Sequence, residues 1–159
     1  AGPISATGLL HAAASPGTEP YWKLAPRGAC LDIFFQTTLD RADQFIRVMQ
    51  EMAKERGLDG NDLGVYIQPQ LQGRCCHVEF SIYYNGEVKK DADRAQELFE
   101  AAGKRLCAMG GFFSRPYGPW SEFAYAKCPD TVSALRKVKG ILDPRSVMNP
   151  GKLCHTKEA

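Results

Sequence analysis

The chain has 159 residues, 44% of them hydrophobic and 24% charged, and its 20 basic and 18 acidic side chains leave a formal charge of +2. That length suits one ordinary domain, burying roughly 70% of its unfolded surface. The charges are interspersed without long runs, so nucleic acid is not an expected partner, and no apolar stretch approaches the ~20 residues of a membrane span. The start, AGPISATGLLHAAASPG, lacks a basic n-region and an apolar core, so no signal peptide is expected. A chain that begins without Met reads as a processed product or a fragment. The six cysteines (Cys30, Cys75, Cys76, Cys107, Cys128 and Cys154) show neither CxxC nor zinc-ligand spacing. Cys75 and Cys76 would point to opposite faces of a strand, so reduced, buried thiols and a cytoplasmic setting are expected.

Residues 1–28, rich in Ala, Gly, Pro and Ser, read as an extended lead-in or linker. ACLDIFFQT then alternates as a strand, with Leu31, Ile33 and Phe35 on one face and Asp32, Phe34 and Gln36 on the other. LDRADQFIRVMQEMAKERG follows as a helix whose apolar stripe is Ala42, Phe45, Ile46, Met49, Met52 and Ala53, stopped by Gly57. LGVYIQPQLQ is a second strand, placed at an edge or bulge by Pro69. CCHVEFSIYYN is the clearest strand, with Cys76, Val78, Phe80, Ile82 and Tyr84 opposed by Cys75, His77, Glu79, Ser81 and Tyr83. A second helix, DADRAQELFEAAGKRLCAMG, ends at Gly110-Gly111, and GGFFSR over 110–115 reads as a fourth strand. PYGPWSEF reads as an aromatic loop bounded by Pro and Gly, and a helical tail ends in VKGILDPRSVMNPGKL. The order β-α-β-β-α-β predicts an α+β, ferredoxin-like (split β-α-β) antiparallel sheet with both helices on one face.

Two helices cover one face of such a sheet and leave the other to water or to a partner. The uncovered face gathers Asp32, Phe34, Gln36, Tyr66, Gln68, Gln70, His77, Glu79, Ser81 and Tyr83. This mixture of aromatics, amides and one His/Glu pair suits either a lid over a planar, polar-edged ligand or a plain domain interface. His77 and Glu79 are two apart on one face, so the pair either handles a proton or is structural. With only His11, His77 and His155 in the chain, no metal site is expected. Arg115, held extended by Pro116, presents a guanidinium suited to an oxyanion or carboxylate, or to a structural ion pair.

With these elements placed, the chain resembles the C-terminal part of FAD-linked oxidases and dehydrogenases, in the vanillyl-alcohol oxidase / 4-cresol dehydrogenase flavoprotein superfamily. The resemblance rests on LRKVKGILDPRSVMNPGKL, on GRCCHVEFSIYYN followed by a helix and GGFFSRPYG, and on the ferredoxin-like order; it covers about residues 29–153. It implies a cap (substrate) domain over 29–118 and a tail over 119–159 that packs on an FAD domain absent from this chain. The implied function is that of an oxidoreductase passing a hydride from a substrate C–H to FAD, the substrate being a hydroxylated aromatic such as a 4-alkylphenol or aryl alcohol. A 2-hydroxy-acid dehydrogenase of the same superfamily is one alternative, and a non-catalytic ferredoxin-like protein-binding module is another. On this reading Arg115 is an electrostatic clamp, and His77 and Glu79, paired on one strand face, are candidates for proton handling. Tyr66, Gln68, Ser81, Tyr83, Ser114 and Tyr117 become substrate contacts, and Asn149 and Lys152 fall on the terminal motif near the flavin. Where the phenol-oxidising branch carries a Tyr-Arg pair this chain reads Ser114-Arg115, and no carboxylate stands around Tyr66–Gln68. The histidine cluster of the hydroxy-acid branch is missing too. The implied partners are an FAD-binding domain or subunit, a small-molecule substrate and an electron-acceptor protein (a cytochrome or iron–sulfur protein), within an oligomer.

Overall fold

The computed structural model describes residues 23, 24, 26–116 and 118–150. The elements are β1 (Ala29–Thr37), α1 (Leu39–Glu55), β2 (Leu63–Gln70), a short 3₁₀ turn (Leu71–Gly73), β3 (Cys75–Tyr84), α2 (Lys89–Ala108), α3 (Pro119–Tyr125) and α4 (Pro129–Leu142). The three strands pair antiparallel in the order β1-β3-β2, which makes an α+β fold with β3 in the middle. Pro69 lies on edge strand β2, where its missing N–H breaks no inner ladder.

Alternation decides which face is buried. Ile33 and Phe35 of β1 and Cys76, Val78, Phe80 and Ile82 of β3 turn to one side and are fully buried. Ala42, Phe45, Met49 and Ala53 of α1 and Ala95, Leu98, Ala102 and Leu106 of α2 close over them. Each fully buried Phe, Ile or Leu contributes about 1.5–3 kcal/mol relative to an exposed one, so this face dominates the fold energy. Phe35 stacks at a tilt on Phe45, 4.8 Å between centroids, and ties the first strand to the first helix.

Two expectations are corrected. GGFFSR is not a strand: only Phe112 bridges, exchanging both backbone hydrogen bonds with Gln36 at 2.8 and 2.9 Å. The bridge falls on the β1 edge, where a fourth strand of this fold belongs, but the chain leaves after one residue. Phe113 dives into the core against Phe35, and the backbone at Gly111 presses so closely on the Phe35 ring that a β-carbon there would lie 2.9 Å away. PYGPWSEF is not a loop throughout, since Pro119 opens the seven-residue helix α3. Proline suits that first helical position because its N–H would be unpaired anyway. Trp120 from α3 packs on Phe99, Phe113 and Phe34, filling the flank that the missing strand leaves open.

The tail is ordered by one carboxylate. Asp143, at the C-terminal end of α4, accepts from the backbone N–H of Val147 (3.0 Å) and Met148 (2.9 Å) and from the Lys139 ammonium. Lys139 also donates to the Met148 carbonyl at 2.6 Å, which closes the turn. The hydrogen bond from Lys139, followed by those from Met148 and Val147, outweighs the cost of burial and holds the Asp143 carboxyl below the usual carboxylate range. No residue of α4 is buried, and Leu135, Val138, Ile141 and Leu142 leave an apolar stripe exposed, Ile141 at 78% and Leu142 at 76%.

Candidate functional site

The register of the sheet assembles the polar face row by row. Phe34 stands opposite Glu79 and Glu79 opposite Tyr66; Gln36 stands opposite His77 and His77 opposite Gln68; Asp32 stands opposite Ser81. Directly opposed residues share a face, so these side chains emerge on the side away from the helices. Phe34 lies at the centre. Its ring centroid is 6.2 Å from that of His77 and 5.6 Å, edge-on, from that of Trp120, and the Arg115 guanidinium sits over it with Cζ 5.5 Å from the centroid. Tyr66 meets His77 from the other side at 6.2 Å.

Arg115 reaches this face because the chain abandons the fourth strand after Phe112 and bends through Ser114 and Arg115. Both are exposed, which leaves the guanidinium free to meet an anion. Nε2 of His77 lies 3.5 Å from Oε2 of Glu79, a charge-pair distance when the imidazole is protonated. Oε1 of Glu79 is taken by the Lys23 ammonium, which also donates to Oδ2 of Asp32 at 2.8 Å. Oδ1 of Asp32 in turn accepts from Ser81 Oγ at 2.8 Å and from the Cys30 thiol at 3.3 Å.

These bonds sort the expected residues. Arg115, His77, Glu79, Tyr66 and Gln68 come together on one face around Phe34, with Ser114 next to Arg115. Ser81 shares the face but is buried beneath Asp32, so its hydroxyl is committed to the structure. Tyr83 lies beyond Ser81, half-buried, and burial followed by the neighbouring Cys30 raises its phenol pKa. Asn149 is exposed in a left-handed turn at φ +48. Tyr117 and Lys152 lie outside the described residues. Lys23 and Trp120 are additions that site reasoning from sequence missed, and Asp32, placed on this face by its alternation, had been given no role of its own.

Electrostatics narrow the chemistry. Burial opposes a charged Lys23, but its hydrogen bonds to Asp32 and Glu79 and their charges outweigh this and hold its pKa above the ordinary lysine value. Burial and then the hydrogen bond to Asp32 push the Cys30 thiol up to about 12, so it stays protonated and is no nucleophile. Among the described residues no three His, Cys, Asp or Glu side chains converge as a metal site.

A dinucleotide cofactor asks for convergent backbone N–H groups on its pyrophosphate. Gly57 (φ +71) and Gly110 (φ +92) close helices, and α1 and α2 open behind Thr38 and Val88 with no glycine-rich turn. Gly118 does precede a helix, but that helix has seven residues and Pro119 removes its first N–H. The described residues therefore do not fit a complete FAD site. They offer an aromatic, hydrogen-bonding face with one outward cation.

The family model of FAD linked oxidases, C-terminal domain, matches residues 35–153, most of the chain, and the chain belongs to that family. The family is one of flavin-dependent oxidoreductases, with FAD as its cofactor and a separate part of the enzyme to bind it. No curated protein matches the chain. Among the described residues no helix is long and apolar enough to cross a membrane.

Proposed function

We propose that this chain is the substrate-facing cap of a flavin-dependent oxidoreductase of the vanillyl-alcohol oxidase / 4-cresol dehydrogenase type. Its substrate would be a hydroxylated aromatic, a 4-alkylphenol or aryl alcohol. The observation that carries the reading is the Arg115 guanidinium over Phe34 beside His77, an outward cation on an aromatic floor. Arg115 holds the substrate's phenolate oxygen, a job suited to a planar cation that no carboxylate engages among the described residues. Phe34 and Tyr66 flank the ring, Gln68 lies one strand from His77, and the His77–Glu79 pair takes or returns the substrate's exchangeable proton. FAD, bound by another part of the enzyme, supplies the hydride acceptor. The cap (29–118) orients the substrate and excludes water.

The tail from 119 onward docks on the FAD-binding part. The exposed stripe Leu135, Val138, Ile141 and Leu142 supports this, because an apolar helical face left to water in a C-terminal domain needs the remainder of its enzyme to cover it. Asn149 would then lie at that contact.

The test is anaerobic mixing of the flavin-bound enzyme with a 4-alkylphenol, an aryl alcohol and a 2-hydroxy acid, watching the flavin absorption band. Bleaching by the aromatic substrates is expected. Bleaching by the hydroxy acid alone moves the reading to the other branch of the superfamily. A colourless preparation would make the chain a binding module.

A further inference from the structure

Asp32 and Glu79 place two carboxylates on one sheet face, on neighbouring strands, where each is largely covered. Partly buried like charges on neighbouring strands repel, and a cation between them relieves this. It comes from outside the sheet. Lys23, only 8% exposed, lies before β1 and before residue 35, where the family match begins. Its segment is anchored again by the ion pair between Arg27 and Asp62 and is turned by a hydrogen bond from Gly28 N to the Leu24 carbonyl at 2.6 Å. Lys23 thus reaches from ahead of the matched domain onto the face that carries Phe34, His77 and Arg115.

We infer that Lys23 is a positioning residue of this site. By engaging Oε1 of Glu79 it turns Oε2 toward Nε2 of His77, and so makes the segment leading into the domain part of the substrate-facing surface. The inference deepens the proposed function and rests on it. Glu79 has three torsions about which its carboxylate can swing, and the strand backbone alone does not choose between facing His77 and facing water. The second bond of Lys23, to Asp32, fixes the ammonium itself, and Asp32 is braced by Ser81. Each member of the chain Ser81–Asp32–Lys23–Glu79–His77 therefore restrains the next. His77 is faced otherwise by Phe34, Tyr66 and the amides of Gln36 and Gln68 by register, none of which carries charge.

The experiment uses the flavin-bound enzyme that contains this chain, with Lys23→Met, Lys23→Arg and His77→Gln variants. Anaerobic flavin reduction by a 4-alkylphenol is followed across substrate concentrations, and ¹⁵N-histidine labelling reports the His77 imidazole. Lys23→Met is expected to slow flavin reduction about tenfold to a hundredfold while half-saturation moves by less than about threefold, as loss of alignment does. It should also move the His77 ¹⁵N resonances, and Lys23→Arg should restore both. If Lys23→Met reduces flavin at the parental rate while His77→Gln is slowed, the inference is overturned. If His77→Gln is itself as fast as the parent, the proton-handling reading has failed, and the resonances decide alone. His77 signals that stay in place in folded Lys23→Met then overturn the positioning role, and signals that move and return with Arg support it. Should Lys23→Met not fold, Lys23→Gln, which keeps one neutral donor for Glu79, replaces it in both measurements.

Discussion

A β-carbon on Gly103 would stand 2.5 Å from Nε1 of Trp120, so the indole lies directly on the backbone of α2. Through this approach α3 takes the flank where a fourth strand would run, and Trp120 reaches Phe34 on the sheet's open side. Alanine at Gly103 would favour the helix by about 1 kcal/mol. The clash with the indole costs about 1–3 kcal/mol and disturbs three ring contacts as well, so the net effect is destabilising. Gly103→Ala should lower Tm by a few degrees and shift Trp120 fluorescence to the red. A Tm above the parent's would contradict this packing.

Lys23 gives a stability signature with a defined sign. Its folded pKa is raised, so its contribution is complete below the unfolded lysine value of about 10.4 and fades only as pH rises beyond it, through the folded value. Removing the cation and leaving Asp32 and Glu79 unpaired should cost about 1–3 kcal/mol at neutral pH, less than for a fully buried pair because the Asp32 side chain is 31% exposed. Denaturant midpoints of the parent and Lys23→Met should differ by a constant amount from about pH 6 to pH 9 and converge only in stronger alkali. A gap that closed near neutral pH would rule out the raised pKa.

Asp143 behaves in the opposite sense. Its folded pKa is depressed, so the order it gives the tail is present above the unfolded value of about 3.9 and is lost as pH falls through the folded one. Asp143→Asn should remove protection of the Val147 and Met148 amides from hydrogen exchange at neutral pH and leave the strands unaffected. Equal protection in parent and variant would mean that the turn is held by its prolines alone.

How much of this was legible in sequence follows from the range of each interaction. The alternation Cys76, Val78, Phe80, Ile82 and the helical stripe Ala42, Phe45, Met49, Ala53 are local patterns, and both faces come out as read. The open face was legible for the same reason, since period two that buries Phe35 must expose Phe34 to the other side. GGFFSR misled because two phenylalanines look like a strand, whereas Phe113 is needed in the core and Gly111 is pressed against Phe35. α3 is too short for a period to emerge, and its one sign was a proline at the first helical position. Lys23 left no local sign, because its carboxylate partners are 9 and 56 residues away. The available hint was indirect: Asp32 and Glu79 on one face of a sheet call for a cation.

The docking proposed for the exposed stripe of α4 can be tested apart from folding. Ile141→Glu and Leu142→Glu should leave the Tm of this domain within about 1 °C, because exposed positions contribute little to its core. The same changes should weaken association with the FAD-binding part and lower flavin content in the purified enzyme. Unchanged flavin content would place the contact elsewhere.

The most direct measurement is the anaerobic rate of flavin reduction by a 4-alkylphenol in the parent enzyme and in Arg115→Ala. Removing a preorganised donor from an oxyanion costs about 10²–10³ in rate. The proposed clamp predicts a loss of that size in the rate constant divided by the half-saturating concentration, with the domain still folded and the flavin still bound. A value within about threefold of the parent's would contradict the role of Arg115 and, with it, the substrate-facing reading of this sheet.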